Sequence, residues 1–242
     1  MNELDFKGRR VLITGGTNGM GNAMAHAFRA RGAAVTVTGT KPAESYDTDL
    51  HGLDVRQLDA GDPEQVARLV ESIEKLDVLI NNGGMVLYRG KEFEAEGFQR
   101  VLDVNLTGVM GLCTGFRPKL AVRKGCIINV SSLAAFSAVR GNPAYGASKA
   151  GLVSLTKTLA VAWARDGIRV NGIAPGFVKT NITQVSQDND QISDAIVQKT
   201  PVGRWGEPQD MVGPALFLAS SQLSGFMTGQ TLMADGGYSL QV

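Results

Sequence analysis

The sequence predicts an α/β fold: a doubly wound sheet of seven parallel strands within a single domain. Short apolar segments alternate with longer segments of helical periodicity along the chain. The predicted strands are almost continuously apolar, which is typical of parallel strands covered by helices on both faces. The chain has 242 residues, of which 43% are hydrophobic, enough to bury one substantial core. We therefore expect residues 1–242 to form one domain.

The seven strands are predicted from apolar runs at 10–14, 33–38, 53–58, 77–81, 125–130, 169–173 and 230–234. Helices are predicted at 22–31, 62–75, 98–120, 144–165 and 209–219. The second helix has a clear start, because Asp62 can cap it and Pro63 suits its first turn.

Two connections depart from regular strand–helix alternation. Only a short segment containing Pro42 joins the strands at 33–38 and 53–58, so the crossover helix there is expected to be short or missing. The irregular stretch 176–206 is expected to form a flexible flap over the substrate.

Composition limits the partners and the compartment. Lys and Arg number 24 and Asp and Glu number 23, and the resulting net charge of +1 provides no basic surface for nucleic acid. Cys113 and Cys126 form no CxxC pair, and only two histidines are present, so no metal site is predicted. The N-terminal segment MNELDFKGRR lacks the apolar core of a signal peptide, and no apolar run reaches the ~20 residues of a membrane span. We expect a cytoplasmic protein that acts on a small molecule, without nucleic-acid or membrane partners.

The first strand runs into a glycine-rich turn with the sequence TGGTNGMG at residues 14–21. Gly15 permits a tight turn, Gly19 lets the backbone approach a pyrophosphate, and Gly21 lets the next helix pack closely on the sheet. The N-terminus of that helix offers free N–H groups and partial positive charge to phosphates. Because a predicted strand precedes the turn and a predicted helix follows it, the segment predicts a Rossmann-like dinucleotide-binding site.

Tyr145 and Lys149 lie at the start of the predicted helix 144–165. Four residues turn a helix through about 400°, so the two side chains share one face. An ammonium group ~4 Å from the phenol, at an effective dielectric constant of about 20, favours the phenolate by about 4 kcal/mol, or about three pKa units. We therefore expect Lys149 to lower the pKa of Tyr145 and to make Tyr145 the proton-transferring residue.

The glycine spacing TGxxxGxG near the start of the chain, with the Tyr-x-x-x-Lys pair downstream, resembles the short-chain dehydrogenase/reductase family. The resemblance covers essentially the whole chain. It implies an NAD(P)(H)-dependent oxidoreductase that transfers a hydride between nicotinamide and a ketone or secondary alcohol. It also implies that Ser132 hydrogen-bonds the substrate oxygen, and that Asn105 bends its helix and holds a water linking Lys149 to solvent. The catalytic set implied in this way is Asn105, Ser132, Tyr145 and Lys149.

The resemblance also implies which residues contact the cofactor. Asp59 would accept from the adenine amino group, Asn82 would lie near the adenosine ribose, and Thr180 would donate to the nicotinamide amide. The implied cofactor set is Gly15, Thr17, Asn18, Gly19, Met20, Gly21, Gly39, Thr40, Lys41, Asp59, Asn82, Gly83, Tyr145, Lys149, Pro175, Gly176, Val178 and Thr180.

The end of the second strand bears on cofactor preference. A preference for NAD(H) usually needs an acid here, hydrogen-bonded to the ribose hydroxyls. Gly39 stands at that position, and Thr40 and Lys41 could bind a 2′-phosphate, so we expect NADP(H) to be preferred. NAD(H) remains an alternative, because Asn18 stands where NADP-using relatives often carry a base and Glu44 lies close by.

The residues predicted to line the substrate pocket are mostly apolar, which indicates a hydrophobic small molecule and hence a carbonyl reductase. They are Ser132, Leu133, Val139, Asn142, Tyr145 and Phe177.

Three alternatives stay open. The chain is similar overall to 3-oxoacyl-(acyl-carrier-protein) reductases, and Arg123 fits one basic position that they use for carrier docking, although Asp166 replaces another. The short connection between the strands at 33–38 and 53–58 is similar to that of cyclic dihydrodiol dehydrogenases. A non-catalytic NADP(H)-binding sensor would not need all four catalytic residues. The two long helices match those that pair subunits in the family, which implies a homotetramer.

Overall fold

The computed structural model describes residues 3–241 and contains one sheet of seven strands in which every neighbouring pair is parallel. Their order across the sheet is β3-β2-β1-β4-β5-β6-β7. The chain therefore winds outward from β1 to one edge and from β4 to the other, which confirms the predicted doubly wound, Rossmann-like α/β fold. The strands are β1 (Arg10–Ile13), β2 (Ala34–Gly39), β3 (Asp54–Gln57), β4 (Val78–Asn81), β5 (Cys126–Val130), β6 (Arg169–Pro175) and β7 (Thr231–Ala234).

Helices cover both faces of this sheet. They are α1 (Gly19–Arg29), α2 (Pro63–Ser72), α3 (Ala95–Leu102), α4 (Gly108–Arg123), α5 (Pro143–Ala162), α6 (Gln184–Gln187), α7 (Asp190–Lys199) and α8 (Val212–Ala219). Within residues 3–241, no helix is both long enough and apolar enough to cross a membrane.

The apolar strands are explained by two hydrophobic clusters, one on each face of the sheet. Successive side chains of a strand point to opposite faces. Val11 and Ile13 of β1 therefore pack in the cluster beneath α1 and α8, whereas Leu12 packs beneath α2, α4 and α5. Both sets of side chains are removed from water, which explains why β1 and β4 in the middle of the sheet are almost continuously apolar, whereas the edge strand β3 is polar and mostly exposed.

Most helix boundaries agree with the sequence to within about one turn. Helix α2 begins at Pro63 as predicted, because Asp62 Oδ1 accepts from the N–H groups of Glu64 and Gln65 at 2.9 and 3.1 Å. Helix α1 begins at Gly19, earlier than the predicted residue 22, so the last residues of the glycine-rich turn form its first turn.

The prediction of one continuous helix at 98–120 is wrong in its middle. The segment begins as α3, passes through a π-helical turn at Asp103–Thr107 and continues as α4. π turns are rare and frequently occur at functional sites. This turn directs Asn105 into the interior, where the residue is 1% exposed.

The connection between β2 and β3 has no crossover helix, as predicted. It contains only a short 3₁₀ turn, Ala43–Ser45. The connection packs on the glycine-rich turn and on α1: the Thr48 hydroxyl donates to the carbonyl of Thr17, and Asn22 Nδ2 donates to the carbonyl of Asp49 at 2.9 Å. The short connection thereby borders the dinucleotide-binding edge of the sheet.

The stretch 176–206 is more regular than predicted. It contains α6 and α7, and α7 is capped by Asn189, whose Oδ1 accepts from the N–H of Ile192 at 3.1 Å. Its function as a flexible flap stays a prediction.

Candidate active site

The glycine-rich turn between β1 and α1 needs its glycines for steric reasons. Gly15 has a φ of +61°, and a Cβ on it would come within 2.8 Å of Gly83 Cα. A Cβ on Gly21 would lie 2.3 Å from the carbonyl oxygen of Gly15. Side chains are therefore excluded where the turn, the start of α1 and the loop after β4 meet.

The start of α1 fits a bound pyrophosphate. Asn18 occupies the N-cap position, yet its side chain makes no capping hydrogen bond. In the part of the chain that the structure describes, the N–H groups of the first helical turn have no side-chain partner, and such groups bind phosphate oxygens. The methyl group of Thr180 lies beside this turn, since a Cβ on Gly19 would be 3.2 Å from Thr180 Cγ2. The predicted phosphate and nicotinamide segments therefore lie together.

The loop after β4 holds the glycine-rich turn in position. Asn82 Nδ2 donates to the carbonyls of Thr14 and Gly15 at 3.0 and 3.1 Å, and Gly83 N–H donates to Thr14 Oγ1 at 2.9 Å. Asn82 Oδ1 is buried and has no hydrogen-bond partner within residues 3–241. A free buried acceptor beside the turn fits the hydroxyl of a bound ribose.

The end of β2 has no room for an acidic side chain. A Cβ on Gly39 would lie 2.3 Å from Tyr46 Oη and 2.7 Å from Thr17 Oγ1. Tyr46 Oη accepts from the N–H of Lys41 at 2.9 Å. Burial raises the pKa of Tyr46, but its hydrogen bonds to Lys41 N–H and to the Thr17 and Thr40 side chains hold that pKa below its usual value. The sequence pattern did not single out Tyr46.

Asp59, predicted to accept from adenine, has other partners. Its Oδ2 forms an ion pair with Arg100 at 2.5 Å, and its Oδ1 accepts from the N–H of Gly61 at 2.9 Å. Arg100 comes from α3, so no local pattern around Asp59 could have predicted the pair. An adenine contact by Asp59 stays a prediction.

Ser132 and Tyr145 meet at the carboxyl edge of the sheet. Ser132 follows β5 and accepts from the N–H of Ala134 at 3.1 Å, and its side chain acts to lower the pKa of the Tyr145 hydroxyl. The neighbouring Ser131 instead donates to the carbonyl of Lys149 at 2.9 Å, as alternation along a strand requires. Ser132 is therefore the serine that faces the site.

The expectation that Lys149 lowers the pKa of Tyr145 is wrong for this structure. Burial raises the pKa of Tyr145, the hydrogen bond from Ser132 offsets this only in part, and the Tyr88 and Glu92 side chains add to the rise. The Lys149 ammonium lies over the ring, 5.7 Å from its centroid, and donates to the carbonyl of Val130. Desolvation therefore outweighs the attraction assumed from sequence spacing.

Lys149 is itself buried, being 4% exposed. Its Nζ donates to the carbonyl of Val130 at 2.9 Å, and burial lowers its pKa to about 8. It therefore exchanges its proton much nearer neutral pH than an exposed lysine does.

Asn105 explains the π turn. Its Oδ1 accepts from the N–H of Met85 at 2.8 Å, and its Nδ2 donates to the carbonyl of Met85 at 2.9 Å and to Ser148 Oγ at 3.2 Å. A Cβ on Gly84 would lie 3.3 Å from Asn105 Oδ1 and 3.4 Å from Lys149 Nζ. The glycine thus preserves space between the two side chains, although the predicted water there stays a prediction.

The predicted substrate residues differ in their exposure and in their packing partners. Leu133 is buried, and Val139 is 37% exposed. Phe177 packs against Trp205 and Tyr238, with ring centroids 5.8 and 5.0 Å away. Phe177 therefore has a packing function whether or not it also lines the pocket.

Three functional candidates were missed in the sequence, and the loop after β4 carries two of them. The Tyr88 hydroxyl donates to the carbonyl of Ile182, which joins this loop to the 176–206 stretch. Glu92 is 0% exposed and accepts from the N–H of Tyr145 at 2.9 Å. The polar segment KEFEAE reads as a solvated surface, so only three-dimensional contacts identify Glu92. The third candidate, Tyr46, lies at the end of β2.

The comparisons with known proteins agree with this geometry. A family model described as enoyl-(acyl carrier protein) reductase matches residues 15–239. The 3-oxoacyl-(acyl-carrier-protein) reductase of Rickettsia bellii is 36% identical over 239 residues, covering 97% of this chain and 98% of that protein. The 2-dehydro-3-deoxy-D-gluconate 5-dehydrogenase of Bacillus subtilis is 36% identical over 244 residues, covering 96% of this chain and 95% of that protein.

Solved structures give the same picture. A gluconate 5-dehydrogenase from Burkholderia cenocepacia, in complex with NADP and tartrate, has a TM-score of 0.89 at 31% identity and covers 99% of both chains. A short-chain dehydrogenase from Leptospira borgpetersenii with bound NAD⁺ has a TM-score of 0.88 at 30% identity, covering 98% of this chain and 95% of that chain. The chain belongs to the short-chain dehydrogenase/reductase family of oxidoreductases.

Proposed function

We propose that this protein is an NADP(H)-dependent carbonyl reductase that also oxidises the corresponding secondary alcohol, with Tyr145 as the proton donor. The observation that carries the proposal is that Ser132 and Tyr145 come together at the carboxyl edge of the sheet, where the Ser132 side chain acts to lower the pKa of the Tyr145 phenol, with Lys149 buried beside the tyrosine ring. A bound nicotinamide supplies the hydride in reduction and accepts it in oxidation. The protein's own residues then have to orient the carbonyl and transfer one proton.

Ser132, Tyr145 and Lys149 are suited to orienting the carbonyl and to transferring the proton. Ser132 would supply a hydroxyl donor to the substrate oxygen, on which negative charge develops. The raised pKa of Tyr145 keeps its phenol protonated near neutral pH, which is the form that donates a proton to a carbonyl in reduction. Lys149 can restore that proton, since its own pKa of about 8 lies close to the working range.

The cofactor preference rests on the end of β2. Tyr46 and Thr17 fill the space in which an acid at position 39 would select NAD(H). Lys41 is exposed at the same edge and carries a positive charge that suits a 2′-phosphate. The solved relative from Burkholderia cenocepacia binds NADP and the one from Leptospira borgpetersenii binds NAD⁺, so the family accepts either.

We propose a small, largely apolar substrate, because the predicted pocket residues Leu133, Val139 and Phe177 are apolar. Carrier-protein docking has less support. Arg123 is paired with Asp77 at 3.0 Å, and Arg117 pairs with Asp166 at 2.8 Å, so both positions are already engaged in ion pairs. The relatives named for gluconate derivatives make sugar acids a further class to test.

A turnover panel tests these proposals together. Cyclic and aryl ketones, a 3-oxoacyl thioester, 5-ketogluconate and a cyclic dihydrodiol would each be assayed with NADP(H) and with NAD(H). We expect the highest kcat/KM for an apolar ketone with NADPH. A higher kcat/KM for the sugar acid or the thioester would contradict the substrate proposal, and a clear NADH advantage would contradict the cofactor proposal.

A further inference from the structure

Glu92 is a buried carboxylate within an otherwise exposed stretch. It lies in the 3₁₀ turn Lys91–Phe93, immediately before α3. Phe93 is 71% exposed and Lys91 and Glu94 are also exposed, whereas Glu92 is 0% exposed. Burial of an ionised carboxylate is unfavourable unless hydrogen bonds compensate it. The partners of Glu92 therefore indicate what its burial stabilises.

Those partners join the loop after β4 to the start of α5. Glu92 Oε2 accepts from the backbone N–H of Tyr145 at 2.9 Å. Glu92 Oε1 accepts from the N–H of Leu87 at 2.9 Å and from Asn142 Nδ2 at 3.2 Å. Within residues 3–241, all three partners are neutral N–H donors, so the charge of Glu92 is balanced by oriented dipoles rather than by a cation.

Glu92 takes the place of the usual N-terminal cap of α5. Asn142 occupies the N-cap position but makes no capping bond, because its amide donates to the Leu87 carbonyl at 2.9 Å and to Glu92. The N–H that Glu92 accepts belongs to Tyr145, in the first turn of this 20-residue helix. A carboxylate at this end of a helix is favoured by the unsatisfied N–H groups and by the helix dipole.

The consequence is that Tyr145 is held through its backbone. Its N–H is bonded to a buried carboxylate from a different element, while the Ser132 side chain acts on the pKa of its hydroxyl. The same carboxylate fixes Leu87, whose neighbour Tyr88 reaches across to Ile182. One side chain thus sets the relative position of the proton donor and of the loop that borders the substrate.

We propose that Glu92 is a positioning residue for proton transfer, which fixes the first turn of α5 and the loop 84–88 in the arrangement that aligns Tyr145 with Ser132. This inference rests on the proposed function, in which Tyr145 is the proton donor. The charge of Glu92 has a second effect, since it disfavours the phenolate and so contributes to the raised pKa of Tyr145.

Two substitutions separate the effect of the side-chain length of Glu92 from the effect of its charge. Glu92→Gln keeps the size but removes the charge and places an N–H donor among the three N–H groups. Glu92→Asp keeps the charge but shortens the side chain, so that it no longer reaches Tyr145 N–H. Glu96→Gln, an exposed carboxylate at the start of α3, is the matched control.

We expect both Glu92 variants to lose roughly 10- to 100-fold in kcat, because small misplacements of a catalytic group cost rates of this order. The Kd for the nicotinamide cofactor should stay within about twofold in both, because its predicted contacts lie elsewhere. Glu96→Gln should retain the wild-type kcat. Retention of kcat within about twofold by Glu92→Asp would overturn the positioning role.

The pKa of Tyr145 is a second measurement, and it would not change if Glu92 had only a structural role. It is measured as the ultraviolet phenolate signal of each protein minus that of its Tyr145→Phe counterpart. The ionisable groups that act on the phenol are Tyr88, Glu92 and the Lys149 ammonium over its ring. We expect the pKa of Tyr145 to fall in Glu92→Gln and to stay near the wild-type value in Glu92→Asp. An unchanged pKa in Glu92→Gln would overturn the electrostatic effect.

The two proposals can fail separately. Absence of wild-type turnover on every carbonyl, combined with a shifted Tyr145 titration in Glu92→Gln, would contradict the proposed function and support the Glu92–Tyr145 coupling. Wild-type turnover with unaltered kcat and unaltered titration in both variants would contradict only the inference about Glu92. If thermal melting shows that Glu92→Gln does not fold, Glu92→Asp still tests the positioning role, through its kcat.

Discussion

Lys149 and Tyr145 are ionisable side chains in a poorly hydrated site, and burial shifts their pKa values in opposite directions. The pKa of Lys149 falls from 10.5 to about 8, and that of Tyr145 rises above 10.0. In both cases burial disfavours the charged form. The neutral phenol is thereby kept available as an acid. A larger fraction of Lys149 is uncharged near neutral pH than for an exposed lysine, so Lys149 can both give up and take up a proton there.

The shifted pKa of Lys149 predicts how stability depends on pH. Between about pH 8 and 10.5 the unfolded chain holds this proton and the folded chain has released it, so this group makes folding more favourable as the pH rises through that window. Relative to Lys149→Met, the free energy of unfolding of the wild type should increase by about 3 kcal/mol across the window. Denaturant titrations of both proteins at several pH values measure this. A difference that is constant with pH would contradict the shift.

Single residues were predictable where a local pattern carries the chemistry. The spacing of Tyr145 and Lys149, and the position of Ser132 after an apolar strand, led to side chains that do lie together in the fold. Glu92 and the Arg100 partner of Asp59 were not predictable, because both act through contacts with residues distant in sequence. A polar side chain in a polar segment gives no sign of which surface it will meet.

Among the elements, the glycine-rich turn is the clearest case of sequence determining local geometry. Its strand, turn and helix follow from apolar patterning and from glycines at positions where a Cβ would collide with backbone atoms. Helical periodicity missed the π turn between α3 and α4, and only the family resemblance implied that Asn105 bends its helix. The turn depends on Asn105 bonding both backbone groups of Met85, a tertiary contact that helical periodicity cannot reveal. The start of α7 did carry a signal, Asn189 at its N-cap, within a stretch otherwise typical of loops.

The packing of the glycine-rich turn leads to a paired prediction. In Gly21→Ala the new methyl group would lie 2.3 Å from the Gly15 carbonyl oxygen, so we expect a loss of about 1–3 kcal/mol in the free energy of unfolding and weaker cofactor binding. Gly146→Ala is the control, because its Cβ would lie 3.6 Å from the nearest atom, the Ala134 carbonyl oxygen. Alanine there should leave stability unchanged or raise it by up to about 1 kcal/mol. Denaturant unfolding compares the two, and equal effects would contradict the steric explanation.

For the whole molecule, the seven strands belong to a single sheet, which supports our proposal that residues 1–242 form one domain. We also propose that the protein is a homotetramer in which α4 and α5 pair subunits. Apolar Met110 is 38% exposed on α4, beside the small residues Gly111, Thr114 and Gly115, which would let a partner helix approach closely.

Light scattering tests the proposed assembly. We expect a mass of about four times the 25.6 kDa of one chain, and a smaller mass for Met110→Arg because a buried, unpaired cation would oppose helix pairing. Val185→Arg, at an exposed apolar position on α6, should leave the mass unchanged. A wild-type monomer would contradict the tetramer.

The proposal that Tyr145 is the proton donor is tested most directly by comparing the wild type with Tyr145→Phe. The measurement is single-turnover oxidation of NADPH by a ketone, with the Kd for NADPH determined on the same samples. Removing one hydroxyl from an otherwise unchanged ring should lower the rate by roughly 10²- to 10⁴-fold, because general acid catalysis contributes that much, and should leave NADPH binding nearly intact. An unchanged rate in Tyr145→Phe would contradict the account.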